Sequence, residues 1–385
     1  MFSSLRLISG LIILFCFSLL AQAAPQAMPA PPQLAAKGFL LIDYNSGYVI
    51  AQDNADTRME PASLTKMLSA YVVASELKNG NITLADKVTV SEKAWRMPGS
   101  RMFIEVGKQV SVEELLKGVI IQSGNDATVA LAEYVAGSED AFASLMNQYA
   151  AKLGLTGSHF VNSTGLPDPD HYTTPQDLAI IAAAIIRDFP EHYKWYAIKQ
   201  YTYNNITQYN RNRLLWRDED VDGVKTGHTE SAGFCLVASA DKNGMRLMSV
   251  VLGTDSERAR ERESQKLLNY GFRFYESHRL YAAGEVLKDV RIWQGTEDNI
   301  KLGVADDLYV TVPRGRYKDL HPAVRYEALI KAPISKGSAL GNVSIMLDDN
   351  EIASRPLVAL HDVERGGWWK RFVDWIKLFF HDLFN

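Results

Sequence analysis

Pro61-Ala62-Ser63-Leu64-Thr65-Lys66 is the stretch from which the rest of the chain is read. Pro61 stands near the first turn of a helix, and Leu64, Met67, Leu68, Tyr71 and Val72 follow as an apolar run. Positions three apart share one helix face, so the Ser63 hydroxyl and the Lys66 amine can meet. A hydroxyl is a weak nucleophile until a base takes its proton. An amine serves as that base when burial or a second cation lowers its pKa.

The pattern Ser-x-x-Lys is weak alone. It occurs three times, at Ser63/Lys66, Ser75/Lys78 and Ser239/Lys242, and about one or two occurrences are expected from ordinary composition. Ser75/Lys78 reads as a solvated pair later on the same helix. Ser239/Lys242 leads into Asp241-Lys242-Asn243-Gly244, a hairpin turn. Two motifs later in the chain set Ser63 apart: Ser123-Gly124-Asn125, then Lys225-Thr226-Gly227, each present once. Taken singly, Ser123 and Asn125 read as helix caps, and Lys225 as an edge-strand lysine that discourages aggregation. The ordered trio is that of the enzymes that form acyl intermediates on serine and react with β-lactams.

Composition narrows the remaining choices. The chain has 385 residues, 47% of them apolar, enough for two or three domains with a sizeable core. A net charge of −4 without a Lys/Arg block argues against nucleic-acid binding. Of two cysteines, Cys16 lies in the leading apolar segment, which leaves Cys235 alone in the mature chain and excludes a disulfide there. Cys235 sits in an apolar strand and reads as packing. His159, His171 and His192 lack metal-ligand spacing, so neither metal nor cofactor is expected. Arg6, a short apolar core over 11–20 and Ala21-Gln22-Ala23 make residues 1–23 a signal peptide. Residues 24–36, rich in Pro and Ala, read as an extended leader.

Periodicity gives an α+β chain. Residues 38–52 read as a hairpin, followed by the Ser63 helix. Ser111 with Glu114 forms a capping box for a helix carrying Leu115, Leu116, Val119 and Ile120, which ends at Ser123. Helices are expected over 127–135, 142–153 and 175–186, with a Gly/Pro/Asp-rich loop over 162–174. Residues 201–216 are polar and aromatic. Val224 to Gly227 reads as a strand, 233–240 and 245–253 as a hairpin, and 256–275 as a long helix. An antiparallel sheet carrying helices and a helical lobe, residues 37–278, accounts for this order. Short alternating runs follow over 279–362, such as Val290 to Trp293, Leu308 to Val312, Tyr326 to Ile330 and Val343 to Leu347, and read as a small all-β domain.

Residues 363–385 carry an amphipathic helix after Gly366-Gly367, a pair that reads as a hinge. Trp368, Trp369, Phe372, Val373, Trp375, Ile376, Phe379, Phe380, Leu383 and Phe384 fall on one half of a helical wheel. Lys370, Arg371, Asp374, Lys377, His381 and Asp382 take the other half, with Leu378 the exception. The bland reading is a helix docked on the protein's own core. The preferred reading is a helix in a membrane interface, where Trp favours the headgroup level. Its mixed charge makes burial rather than electrostatics the main attraction.

With these features together the chain resembles the D-alanyl-D-alanine carboxypeptidases, low-molecular-mass penicillin-binding proteins of the penicillin-binding protein 5 and 6 group. Besides the trio, Asn210-Arg211-Asn212, Leu214-Leu215-Trp216 and Val221-Asp222-Gly223-Val224-Lys225-Thr226-Gly227-His228-Thr229 carry the resemblance. It implies a β-lactamase/transpeptidase-like first domain, and a substrate that is a peptidoglycan pentapeptide stem ending in D-Ala-D-Ala. It also implies an acyl-enzyme on Ser63 and covalent capture of β-lactam antibiotics. It implies Lys66 as base, helped by like-charge repulsion from Lys225, and Ser123 as proton relay. Asn125 would orient the substrate amide and hold Lys66. The backbone N–H groups of Ser63 and His228 would take the oxyanion. Lys225 and Thr226 would favour the substrate's terminal carboxylate, and Gly227 would join them in binding substrate. Arg260 aligns with an arginine near that carboxylate, although alternating surface charge explains it as well, and Arg211 matches the family pattern near the site. The implied place is the periplasmic face of the bacterial inner membrane, held by the terminal helix. Arg213 and Arg217 beside Trp216 depart from the family pattern. A serine β-lactamase would share the acylation machinery, but no Glu-x-x-Leu-Asn element lies in the 162–174 loop, which argues against it. The same machinery also admits a D,D-endopeptidase, or a catalytically weak binding protein that shapes the wall.

Overall fold

Apolar alternation in the strands builds a sheet buried on both faces. The computed structural model describes residues 28–384, with side chains to residue 380. The signal peptide and the first residues of the leader lie outside the described residues. Strands β1 (Gly38–Asp43), β2 (Val49–Asp53), β3 (Val221–Thr229), β4 (Gly233–Lys242) and β5 (Met245–Thr254) form one antiparallel sheet in the order β2-β1-β5-β4-β3. Successive side chains point to opposite faces. Leu40, Val237 and Val250 accordingly join one core, and Leu41, Leu236 and Val251 the other.

The first core is covered by helices on its far side. A 3₁₀ turn, Ala62–Thr65, leads into α1 (Lys66–Lys78). The expected single helix is thus two pieces, and Ser63 and Lys66 meet across their junction. Helix α2 (Val112–Lys117) opens on the expected Ser111/Glu114 capping box. It continues as a π turn over Gly118–Gln122 and stops at Ser123, which takes left-handed φ/ψ. Helices α3 (Asn125–Ala136), α4 (Glu139–Leu153) and α5 (Pro175–Asp188) complete the lobe. The other core is closed by α6 (Glu257–Phe274), capped by Ser256 and packed through Leu267 and Leu268. The polar segment 201–216 resolves into a hairpin, Gln200–Tyr203 with Ile206–Tyr209, and a helical turn, Leu214–Arg217.

The chain leaves α6 at Phe274 and enters strand β6 (Tyr275–Tyr281) directly, four residues ahead of the change of pattern seen in the sequence. Tyr275 stands opposite Pro313 of β9 (Leu308–Pro313), so strand pairing claims a residue whose side chain also continues the helix pattern. Strands β7 (Val286–Trp293), β8 (Asn299–Gly303), β10 (Leu320–Tyr326), β11 (Ile330–Lys331), β12 (Ala339–Leu347) and β13 (Asn350–Ala359) form a second sheet in the order β10-β12-β13-β8-β7-β11. The run from Tyr326 to Ile330 is not one strand. It breaks between β10 and β11, and Leu329 is exposed there. Ser46 and Thr311 hydroxyls 2.6 Å apart, and Arg314 donating to the Phe272 carbonyl at 2.7 Å, join the β domain to the first. Helix α7 (Trp368–Phe384) follows. Among the described residues no helix is long and apolar enough to cross a membrane.

Candidate active site

The site forms where edge strand β3 passes the start of α1. Close approach needs a missing side chain: a Cβ on Gly227 would lie 2.9 Å from the Pro61 carbonyl oxygen. The loop of residues 162–174 presses from the other side. Gly165, at φ +81°, sits where a Cβ would come 1.7 Å from the Ala62 carbonyl oxygen.

Lys66 is 1% exposed. Its Nζ lies 3.0 Å from Ser63 Oγ and donates to the Thr164 carbonyl at 2.7 Å. Burial pulls its pKa down to about 7, with the Arg211 charge adding to the effect and Asp126 and Glu139 opposing it. Arg211 thus adds a cation to the site, and the expected repulsion between Lys66 and Lys225 shows on Lys225. Lys225, 4% exposed, is itself driven well below the usual lysine range by burial first, and then by Lys66, Arg211 and Arg260. Such burial does not fit a solvated edge-strand lysine.

Ser123 is held in the left-handed region at φ +63°, and its Oγ is buried with no partner. Asn125 donates to the Pro98 carbonyl at 2.6 Å, and its Oδ1 is buried without a partner. Its amide is thus committed to the 98–104 loop rather than to Lys66, which Thr164 holds instead. Arg260, in the first turn of α6 and buried, donates to the Gly227 carbonyl at 3.3 Å and pairs with Glu257 at 3.4 Å. Its Nε has no partner, and burial lowers its pKa. A surface charge pattern does not explain a buried guanidinium. Arg211 is exposed at the rim, and the His228 ring stacks on Phe234 at 3.9 Å.

Ser63, Ser123, Asn125, Arg211, Thr226, Gly227, His228 and Arg260 line one cleft of about 350 Å³. Lys66 and Lys225 do not line it: Lys66 reaches it through Ser63 Oγ and the Thr164 carbonyl, and Lys225 sits next to Thr226. Glu257 is the one acid among the described lining residues. Unpaired buried polar atoms together with four basic groups favour an anionic ligand that carries hydrogen-bonding groups of its own. Among the described residues no group of three or more His, Cys, Asp or Glu is placed to hold a metal.

Several supports were not visible in the sequence. Asp126 accepts the N–H groups of Met102, Phe103 and Ile104, fixing the loop against the Ser123 turn. Asn210 donates to the Tyr196 and Ile198 carbonyls, and Asn212 to that of Gly223 at the start of β3. The two asparagines thus aim Arg211 between them; only their place beside Arg211 hinted at this. His171 accepts the Val161 N–H on Nδ1, so Nε2 carries the proton and donates to Thr65 Oγ1 at 2.8 Å. Burial pulls its pKa down to about 4, keeping it neutral beneath Lys66.

A five-stranded antiparallel sheet with a serine and a buried lysine paired beside its edge strand defines a serine-type hydrolase. The chain belongs to the D-alanyl-D-alanine carboxypeptidase family: residues 25–256 match the model of that description, and residues 275–365 match that of the penicillin-binding protein 5 C-terminal domain. It is 44% identical to the D-alanyl-D-alanine carboxypeptidase DacA of Escherichia coli over 93% of this chain and 91% of the relative. It is 45% identical to DacC of the same organism, over 98% and 96%. The crystal structure of penicillin-binding protein 5 from Haemophilus influenzae superposes with a TM-score of 0.84 at 44% identity, covering 88% of this chain and all of that one.

Proposed function

We propose that the enzyme removes the terminal D-Ala from peptidoglycan stem peptides through an acyl-enzyme on Ser63. The observation that carries this reading is the buried Lys66, with its pKa near 7 and its amine 3.0 Å from the Ser63 hydroxyl. Neutral Lys66 takes the Ser63 proton as Oγ bonds to the carbonyl carbon between the two D-Ala residues. Backbone N–H groups of Ser63 and His228 take the oxyanion, each such donor contributing about 3 kcal/mol. The C–N bond then breaks. The proton passes from Lys66 by way of Ser123 to the leaving amine, which departs as free D-Ala. Water adds to the ester, and the reverse proton path frees Ser63. Lys225, Thr226, Arg260 and Arg211 hold the terminal carboxylate, and Asn125 Oδ1 receives the substrate amide N–H. The carboxylate of a β-lactam would occupy the same end of the cleft. A related Listeria monocytogenes protein, penicillin-binding protein D2, 27% identical, has a crystal structure in an ampicillin-bound form.

The test is direct. The purified protein and Ser63→Ala are incubated with a peptide ending in D-Ala-D-Ala, and free D-Ala is measured. Release by the first and none above background by the second is expected; equal release overturns the role of Ser63.

On the same reading the enzyme works outside the cytoplasm on a membrane face, attached through α7. Trp368, Trp369, Phe372, Trp375 and Phe379 are 47% to 76% exposed. Their rings run as one ladder along the helix, each within 6.3 Å of the next. Rings so exposed gain from transfer to the headgroup–acyl boundary. Deleting residues 367–385 is expected to release the protein from membranes with its activity on a soluble peptide retained.

A further inference from the structure

Helix α7 is oriented against the usual rule. An amphipathic helix on a soluble domain turns its apolar stripe to the core, whereas α7 turns its polar stripe inward. Lys370, Asp374 and Leu378, spaced by four, share one face. Asp374 is 2% exposed and Leu378 7%. The Asp374 carboxylate accepts the Gln294 N–H at 2.8 Å and pairs with Arg291 at 3.4 Å, while Lys370 pairs with Asp298. The approach to the helix is equally fixed. Gly366 donates to the Gln294 carbonyl at 2.8 Å, Thr296 to that of Glu364 at 2.9 Å, and Val363 exchanges hydrogen bonds with Ile334. Gly366 is buried, and a Cβ there would lie 2.6 Å from the Gly295 carbonyl oxygen. The expected hinge is therefore pinned at its first residue: this glycine serves close approach.

A buried carboxylate is costly unless it is paired and hydrogen-bonded. Here its partners exist only in this orientation of the helix. Rolling the aromatic stripe inward would remove Asp374 from both and leave the Gln294 N–H unmatched, while the exposed Arg291 would keep only its place over the Trp293 ring. We propose that Asp374 is a positioning residue that locks α7 to the β domain. The aromatic ladder from Trp368 to Phe379 then forms a fixed foot about 17 Å long, and the β domain, not a loose tether, sets the attitude of the cleft over a lipid surface. The proposal rests on the lipid-facing reading of α7. The occupant is a bilayer rather than a partner protein, because six large rings, Phe380 included, lie open along one side of the helix. The exposed flanks of that row carry Arg371 and Lys377, long side chains that reach past it to headgroups.

Spin labels at Lys301→Cys, exposed on β8, and Lys377→Cys, exposed on α7, report the coupling by double electron–electron resonance. The full mature chain is used with Cys235→Ser. A single narrow distance distribution is expected, the same in solution and on vesicles of phosphatidylethanolamine and phosphatidylglycerol. Asp374→Ala is expected to broaden it at least twofold, with Asp374→Asn between the two, while vesicle binding changes less than threefold. D-Ala release from a soluble peptide verifies the fold of each variant. A broad distribution in the parent protein, or an unchanged width in Asp374→Ala, overturns the lock. Vesicle co-sedimentation reports the lipid reading separately: a narrow parent distribution without sedimentation removes the bilayer as occupant and leaves the lock standing.

Discussion

At the scale of single residues the chemistry turns on one proton. Lys66 must be neutral to act as base, and burial together with Arg211 sets its pKa at about 7. A group whose folded pKa is depressed loses its proton early, so the neutral fraction grows as pH rises through that value. Acylation of Ser63 by a penicillin under single-turnover conditions is expected to rise about tenfold per unit below pH 7 and to level off above it. Arg211→Ala removes the second cause of the depression and should move the midpoint upward by a fraction of a unit. A flat profile between about pH 5 and 8 would show that Lys66 is not the group deprotonated. The same depression weakens the folded state at neutral pH, because the unfolded chain binds the proton more tightly up to about 10.5. The Ser63–Lys66 pair was legible because a three-residue spacing fixes it locally. The Thr164 carbonyl that steadies Lys66 was not: it lies 98 residues away, and carbonyls leave no mark in a sequence.

At the scale of elements the site is a contact between β3, the start of α1 and the 162–174 loop. The glycine that ends the Lys-Thr-Gly motif is explained by that contact, since the Pro61 carbonyl leaves no room for a Cβ. Gly227→Ala must push β3 or the 61–66 segment outward by several tenths of an ångström. Displacements of this kind cost up to about a hundredfold in rate when reacting groups separate. D-Ala release and penicillin acylation are expected to fall together by about tenfold or more, because both need Ser63 and β3 in register. Acylation within twofold of the parent would mean that the glycine serves another purpose. Helices and strands themselves were mostly legible, since Ser111, Thr174 and Ser256 cap where their side chains dictate. The π turn at Gly118–Gln122 was not, because the 3.6 and longer periods differ too little over five residues.

At the scale of the molecule, alternation in the strands made the β domain legible as a unit. The docking of α7 was hidden, since Asp374 looked like any polar residue on a wheel, and its partner N–H lies 80 residues away. Leu378, out of place among polar neighbours, was the one visible sign of the inward face. This arrangement decides how lipid attraction should respond to salt. Asp374 and Lys370 are engaged with the β domain, which leaves Arg371 and Lys377 as exposed charges beside six exposed rings. Raising salt from about 0.1 M to about 0.5 M shortens the screening length from about 10 Å to about 4 Å. It removes most of what two cations contribute and none of what the rings contribute. A large ring transferred fully from water gains about 1.5–3 kcal/mol, and a half-inserted one about half of that, or roughly tenfold in affinity. Binding to vesicles containing phosphatidylglycerol should therefore fall less than about fivefold over that salt range. Phe372→Ala with Trp375→Ala should lower it by about a hundredfold at either salt. Titration of both proteins by co-sedimentation separates the cases: a steep salt dependence with little effect of the double substitution would make the attachment electrostatic and assign the rings another role.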